Sequence, residues 1–234
     1  MSDESKVIDE QIKAEAVDAV DNENGQESNN SDVSIPEDPG HPAGDSGAAM
    51  LIRMNEHHKP LRSWGFSFIE WRPGMEILDV GCGGGAAVHE MLSLSEGSIV
   101  KGIDHSDKSI ALSKVINDEA IKYERCRIEK ADVERMPFLD KEFDLVTAIE
   151  TMYFWPDPLA AVREIRRVLR SGGRFVVMAE ACNHDTWADD REKFSTPFVV
   201  YTADEIADFM KKAGFNEIRS ERGEGENICV IGVK

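Results

Sequence analysis

The run Ile77-Leu-Asp-Val-Gly-Cys-Gly-Gly-Gly-Ala86 joins an apolar stretch to an acid and then to a glycine turn. Gly81, Gly83 and Ala86 fit the spacing G-x-G-x-x-G/A, in which missing side chains let the backbone turn tightly and approach a ligand at a helix N-terminus. About twenty residues further on, Asp104 ends the run Ser98–Ile103, where a carboxylate accepts hydrogen bonds from both hydroxyls of a ribose. The same residue could instead cap the helix that follows. Asp132 ends a third run and leads into Val133-Glu-Arg-Met-Pro-Phe138. Asp79 precedes the glycines, and this separates two ligand chemistries. A dinucleotide brings a pyrophosphate dianion to such a loop, where a carboxylate repels it; an amino group or sulfonium is attracted. The three acids and the glycines point to a nucleoside that carries a cationic amino-acid tail, the chemistry of S-adenosylmethionine.

These residues need strands that end at one edge and helices that bring the chain back. Met75–Val80, Ser98–Ile103, Arg127–Lys130, Phe143–Ile149 and Arg174–Ala179 read as strands. Ala86–Leu94, Asp107–Ile121 and Leu159–Leu169 have helical spacing, the last closed by Ser171-Gly-Gly173 as a C-cap signal. Thr202–Ala213 opens on the capping-box pattern Thr202-x-x-Glu205 and closes at Gly214. Strands alternating with long helices predict an α/β fold with a doubly wound, mostly parallel sheet. The final strands, Glu217–Arg222 and Ile228–Val233, are separated by a turn too short for a parallel crossover of about a dozen residues, so they must pair antiparallel.

Composition sets the outer limits. The formal net charge of the 234 residues is -18, and residues 1–50 carry thirteen of the acids and two of the bases. Such a chain lacks the cationic footprint that neutralises phosphates, so no nucleic-acid partner is expected. No apolar run approaches a bilayer span and no apolar signal segment opens the chain, so no membrane association is expected. Cysteines 82, 126, 182 and 229 have neither disulfide-framework density nor paired zinc spacing, which predicts a cytoplasmic protein and no metal. Residues 1–47, acidic and without an aromatic, read as a disordered tail, although Ile8, Ile12, Ala16 and Val20 could form a transient helix. A domain is expected over 48–234, with 48–74 as a helical lid segment in which Met50, Leu51, Met54, His57, His58, Leu61, Trp64 and Phe68 recur at helical spacing.

Residues 75 to 180 resemble the class I S-adenosylmethionine-dependent methyltransferases, specifically their type 11 small-molecule branch. Ile77–Gly85 is similar to that family's first motif, Gly102-Ile-Asp-His-Ser106 to its ribose motif, and Ala131–Phe138 to its adenine motif. Phe143–Glu150 followed by Arg167–Arg174 completes the ordered set. The resemblance implies a Rossmann-like sheet of seven strands with an antiparallel last strand. It implies a cofactor site made by Asp79, Gly81, Cys82, Gly83, Gly85, Asp104, His105, Asp132, Val133 and Glu150. Within that set the glycines shape the methionine end, Asp104 holds the ribose, and Asp132 with the Val133 backbone reads the adenine edge.

Methyl transfer from a sulfonium is an in-line displacement, so the protein mainly aligns the reactants and excludes water. A base is needed only for a weak or protonated acceptor; His57, His58, Tyr153 and His184 are the candidates. Met50, Met54, Trp64, Phe66, Phe68, Phe154, Trp155 and Pro156 could line a small-molecule acceptor pocket or simply pack. Glu150-Thr-Met-Tyr153 stands where many amino-methylating relatives carry Asn-Pro-Pro-aromatic, which leaves oxygen, carbon, sulfur and amine acceptors open. A non-catalytic S-adenosylmethionine-binding protein remains an alternative. So does an NAD-dependent oxidoreductase, which fits Asp104 but not Asp79.

Overall fold

The computed structural model describes residues 38–42, 44–186 and 198–234. The tail up to residue 37, with its Ile8–Val20 stripe, lies outside the described residues. Two helices come first, α1 (Gly44–His57) and α2 (Lys59–Phe66). The stripe from Met50 to Phe68 runs through both. Pro60, in the first turn of α2, explains the break: proline is at home there but removes a helical N–H and clashes further in. Helix α1 begins at Gly44, ahead of the domain boundary expected at residue 48.

The sheet follows as β1 (Glu76–Val80), β2 (Ile99–Asp104), β3 (Cys126–Lys130), β4 (Phe143–Ile149), β5 (Leu169–Ala179), β6 (Asn216–Arg222) and β7 (Ile228–Val233). The helices between them are α3 (Ala86–Leu94), α4 (Asp107–Ile116), α5 (Asp118–Lys122), α6 (Pro158–Val168) and α7 (Ala203–Ala213). Strand order is β3-β2-β1-β4-β5-β7-β6. The first five strands pair parallel, and β7 runs antiparallel to both its neighbours, as the short final turn requires.

Helices cover both faces because strand residues alternate between them. Leu78, Val80, Val146, Phe175 and Val177 pack on one side with Ala161, Ile165, Ile206 and Met210 of α6 and α7. Ile77, Leu145, Val176 and Met178 pack on the other with Leu61, Phe66, Val88 and Met91 of α2 and α3. With both faces buried, the central strands read as continuous apolar runs rather than as polar–apolar alternation.

Two elements depart from their sequence expectation. The helix expected over Asp107–Ile121 is interrupted at Asn117. Its side-chain amide donates to the carbonyls of Ser113 and Gly85, and this ties α4 to the start of α3 at the expense of a straight helix. Ser171-Gly-Gly173 does not cap α6, which ends at Val168 with Leu169 already extended. Instead Gly172, at φ +77°, turns the chain inside β5, and Gly172 and Gly173 exchange backbone hydrogen bonds with Lys234.

The capping box at α7 is complete: Thr202 accepts from the Glu205 N–H, and Glu205 accepts from the Thr202 N–H. Thr202→Ala is expected to lower unfolding free energy by about 1 kcal/mol. Urea denaturation checks this as a lower midpoint with unchanged slope.

Candidate functional site

Between β1 and β4 the strand order reverses, so connections leave the sheet in opposite directions and open a crevice at the carboxyl edge. A cavity of about 710 Å³ fills it. Its wall contains Asp79, Gly81, Cys82, Gly83, Asp104, His105, Asp132, Val133 and Glu150, that is, every expected cofactor residue except Gly85. Gly83, at φ +51°, has open space where a Cβ would stand, which is the cradle a close-lying ligand needs. A Cβ on Gly81 would overlap the Thr151 hydroxyl, and one on Gly85 would overlap Ser113. Gly85, at φ +83°, stands where α3 packs on α4 and is not on the cavity wall.

Asp79 is buried, and its Oδ1 accepts a 2.6 Å hydrogen bond from the hydroxyl of Thr147, its register partner on β4. Burial raises its pKa to about 7, against the Thr147 hydrogen bond and the charge of Arg62, which lower it. Asp104 accepts from the N–H of Gly83 and of Ser106, both at 2.9 Å. The cap of α4 is Ser106, which accepts from the Ser109 N–H, so Asp104 is free of that task. Asp132 accepts from the Glu134 N–H at 2.9 Å, a local turn that fixes its carboxylate. Burial pushes the Cys82 thiol up, which keeps it a neutral wall group.

Across the cavity lies a second cluster. Glu150 follows β4 in the left-handed region at φ +55°, a conformation that non-glycine residues adopt at a cost. Its Oε1 accepts from the Tyr153 hydroxyl at 2.9 Å and from the Glu180 N–H at 2.6 Å. Burial raises its pKa to about 7, opposed by the charge of His58. The Tyr153 oxygen accepts in turn from the Ala181 N–H, and burial pushes the phenol up. His58 Nε2 stands 3.3 Å from Glu180 Oε1 and 3.7 Å from Glu150 Oε2, and His57 Nε2 reaches the same Glu180 oxygen at 3.0 Å. Three of the four candidate bases thus come together. His184 does not; it pairs with Glu205 of α7 at 2.9 Å, away from the cavity wall. Of the expected acceptor-pocket residues, Met54, Phe154, Trp155 and Pro156 line the cavity, whereas Trp64 and Phe68, half-buried, pack edge to face against the core.

Several wall residues had no motif to announce them. Asn55 donates to the Gly84 carbonyl at 3.3 Å and steadies the glycine loop. Buried Arg62 pairs with Glu90 at 2.7 Å and donates to the Asn55 carbonyl. Both lie one helical turn from other lining positions of α1 and α2, so polar residues on an otherwise apolar face were the available signal. Glu180 sits at a parallel strand's carboxyl edge, as Glu150 does. Pro39–Pro42 form a strap that lines the cavity, with the Gly40 carbonyl 2.8 Å from His105 Nε2 and the His41 and His105 rings 4.9 Å apart.

Residues 78–177 match a family model described as a methyltransferase domain. The chain is similar to cycloartenol-C-24-methyltransferase 1 of rice, 41% identical over 126 residues that cover 54% of this chain and 35% of that protein. It is 33% identical over 177 residues to cycloartenol-C-24-methyltransferase of Arabidopsis thaliana, covering 71% and 50%. The chain spans half or less of the length of these two relatives. Among solved structures it resembles the methyltransferase bound to the Trm112 activator of Haloferax volcanii, with a TM-score of 0.71, 18% identity, and coverage of 81% and 94%. It also resembles the cyclase SpnF, with a TM-score of 0.58, 25% identity, and coverage of 69% and 59%.

The Asp79 environment has a measurable signature. A carboxyl whose pKa is raised on folding binds more protons folded than unfolded, so stability falls as pH rises between its unfolded value near 4 and its folded value near 7. Asp79→Asn removes that dependence and keeps an oxygen for Thr147. Its stability relative to the parent is expected to rise from pH 4 to pH 7 and to level off above. Denaturation midpoints across this range check it; a gap that does not change with pH would show that Asp79 carries no proton in the folded protein.

Proposed function

We propose, on the premise that the chain belongs to the class I S-adenosylmethionine-dependent methyltransferases, that it transfers a methyl group from S-adenosylmethionine to a small-molecule acceptor. The observation that carries this reading is Asp79, an acid buried at the foot of the glycine loop on the cavity wall, where a cationic tail is welcome and a pyrophosphate is not. Asp104 would hold the ribose with the lone pairs that Gly83 and Ser106 leave. Asp132 and the Val133 backbone would meet the adenine, and Gly81, Cys82 and Gly83 the methionine end. The open side of Gly83 supports the fit.

When bound, S-adenosylmethionine supplies a methyl carbon already activated on a sulfonium. This chain's residues align and enclose. Tyr153, Phe154, Trp155 and Tyr201 give the far wall an aromatic surface suited to an apolar acceptor, the class to which the rice and Arabidopsis relatives' names also point. An acceptor that must lose a proton meets His58, Glu150 and Tyr153 on that wall. Pro39–Pro42 help to exclude water at the adenosine end. The four cysteines, free and buried, are consistent with a cytoplasmic setting, and no helix among the described residues is long and apolar enough to cross a membrane.

The Asp104→Ala variant is expected to bind S-adenosylmethionine more than about tenfold more weakly, a loss of roughly 1.5–3 kcal/mol of charge-assisted hydrogen bonding, with the fold intact. Calorimetry checks it, and the wild type should show no comparable affinity for NAD. Unchanged donor affinity would remove Asp104 from the site. Because a cyclase is among the structures this chain resembles, a second measurement must read transfer itself: methyl-labelled donor incubated with a pool of apolar metabolites. Donor binding with no labelled product from any acceptor class would favour the non-catalytic alternative.

The strap makes a further expectation. A chain beginning at Asp38 should bind the donor like the full chain, and one beginning at Gly44 several-fold more weakly, since it lacks the wall formed by Pro39–Pro42 and the hydrogen bond to His105. Equal affinities would show that the strap lies outside the donor's reach.

A further inference from the structure

We propose that His57, His58, Glu150 and Glu180 form a divalent-cation site at the edge of the cavity, beside the acceptor wall. The first support is the spacing of the ligand atoms. A cation bound at about 2.0–2.2 Å by tetrahedrally arranged nitrogens and oxygens holds those atoms about 3.3–3.6 Å apart. Here the separations are 3.0 Å for His57 Nε2 to Glu180 Oε1, 3.3 Å for His58 Nε2 to the same oxygen, and 3.7 Å for His58 Nε2 to Glu150 Oε2. One ligand atom each from His57, His58 and Glu180 lies within 4.8 Å of the others.

The second support is how the backbone aims them. Helix α1 ends at His57 and α2 starts after His58, so the break enforced near Pro60 lets two consecutive imidazoles turn the same nitrogen toward one carboxylate. On a continuous helix, neighbours in sequence diverge by about 100°. The carboxylates come from the ends of two adjacent parallel strands. Glu150 Oε1 is occupied by the Tyr153 hydroxyl and the Glu180 N–H, which orients the group and presents Oε2 to His58; such secondary hydrogen bonds are how proteins fix a ligating carboxylate.

The third support is access from both sides. The His57 side chain is 70% exposed, an entry route for an ion, whereas those of His58 and Glu150 are 14% and 10% exposed and line the cavity. Two imidazoles with two carboxylates suit zinc or a similar first-row dication, and expansion from four- to five-coordination on the cavity side would admit an oxygen donor of the acceptor, a hydroxyl, enol or carbonyl. The assignment of that position to an acceptor rests on the methyltransferase reading; the cation site itself does not.

The test uses the full chain after chelator treatment. Zinc chloride titration should show one site, and cobalt(II) should give the visible absorption of four-coordinate nitrogen and oxygen ligation. His57→Ala and Glu180→Gln should each weaken zinc binding by more than about tenfold. S-adenosylmethionine calorimetry on His57→Ala, a residue off the donor wall, should match wild type and so report both the integrity of the fold and the donor reading separately. Absence of zinc binding overturns the proposal. So does equal binding by wild type and both variants, which would assign the ion to acids elsewhere in the chain.

Discussion

A carboxylate inside a parallel sheet has no water to solvate it, and Asp79 stands there at 2% exposure. An uncompensated charge in such a place costs several kcal/mol, so the surroundings must answer it or the group must hold its proton. Thr147 answers from the neighbouring strand, and only the observed β1–β4 register brings the two residues opposite each other. Arg62 adds positive charge from α2. It is kept in place by Glu90 of α3 and the Asn55 carbonyl of α1, and the Asn55 amide returns to the glycine loop at Gly84. One buried acid thus ties a strand pair, two lead-in helices and the loop into a single polar unit. That unit forms part of the cavity wall, where the donor is proposed to bind.

The glycine loop and the strand-end acids, which line one cavity, were legible in the sequence because their spacing is local. A tight turn needs glycines next to the acid that precedes them, and Asp104 must end the next strand whatever else the fold does. The strand and helix alternation was equally plain, since each strand is buried on both faces and each crossover is long. The misreadings share a cause. Gly172 and Gly173 look like a helix cap, but they meet Lys234 at the far end of the chain. Asn117 looks like a helix interior residue until Gly85 supplies its partner. Gly85 reads as part of the ligand cradle from its spacing alone, whereas its φ of +83° and the close approach of Ser113 also call for glycine. In each case a residue distant in sequence decided the outcome.

The acceptor side is distant in sequence throughout. The α1–α2 junction, the turn after β4 and the segment near Tyr201 line the proposed acceptor side, and Glu180, just past β5, lies 123 residues from the His57 it contacts. No fixed spacing can announce such a site. The sequence did mark His57, His58 and Tyr153 individually, by residue type. It could not say that these three would share one network and that His184 would be drawn off by a helix-capping glutamate. Strand ends are set by the sheet, whereas the connections between elements vary more among proteins that share a fold.

Glu150 marks the seam between the two sides. A residue with a side chain held at φ +55° costs on the order of 1–3 kcal/mol relative to a relaxed backbone, and glycine would remove most of that cost. Glycine would also remove the carboxylate that receives the Tyr153 hydroxyl and the Glu180 N–H and that faces His58. The strained backbone turns that side chain back over the strand edge, into contact with the following strand and the helix junction together. A relaxed β-strand continuation would send it to one face of the sheet instead. The strain is therefore coupled to the position of the carboxylate: the fold holds Glu150 on the cavity wall, where three otherwise separate segments can reach it.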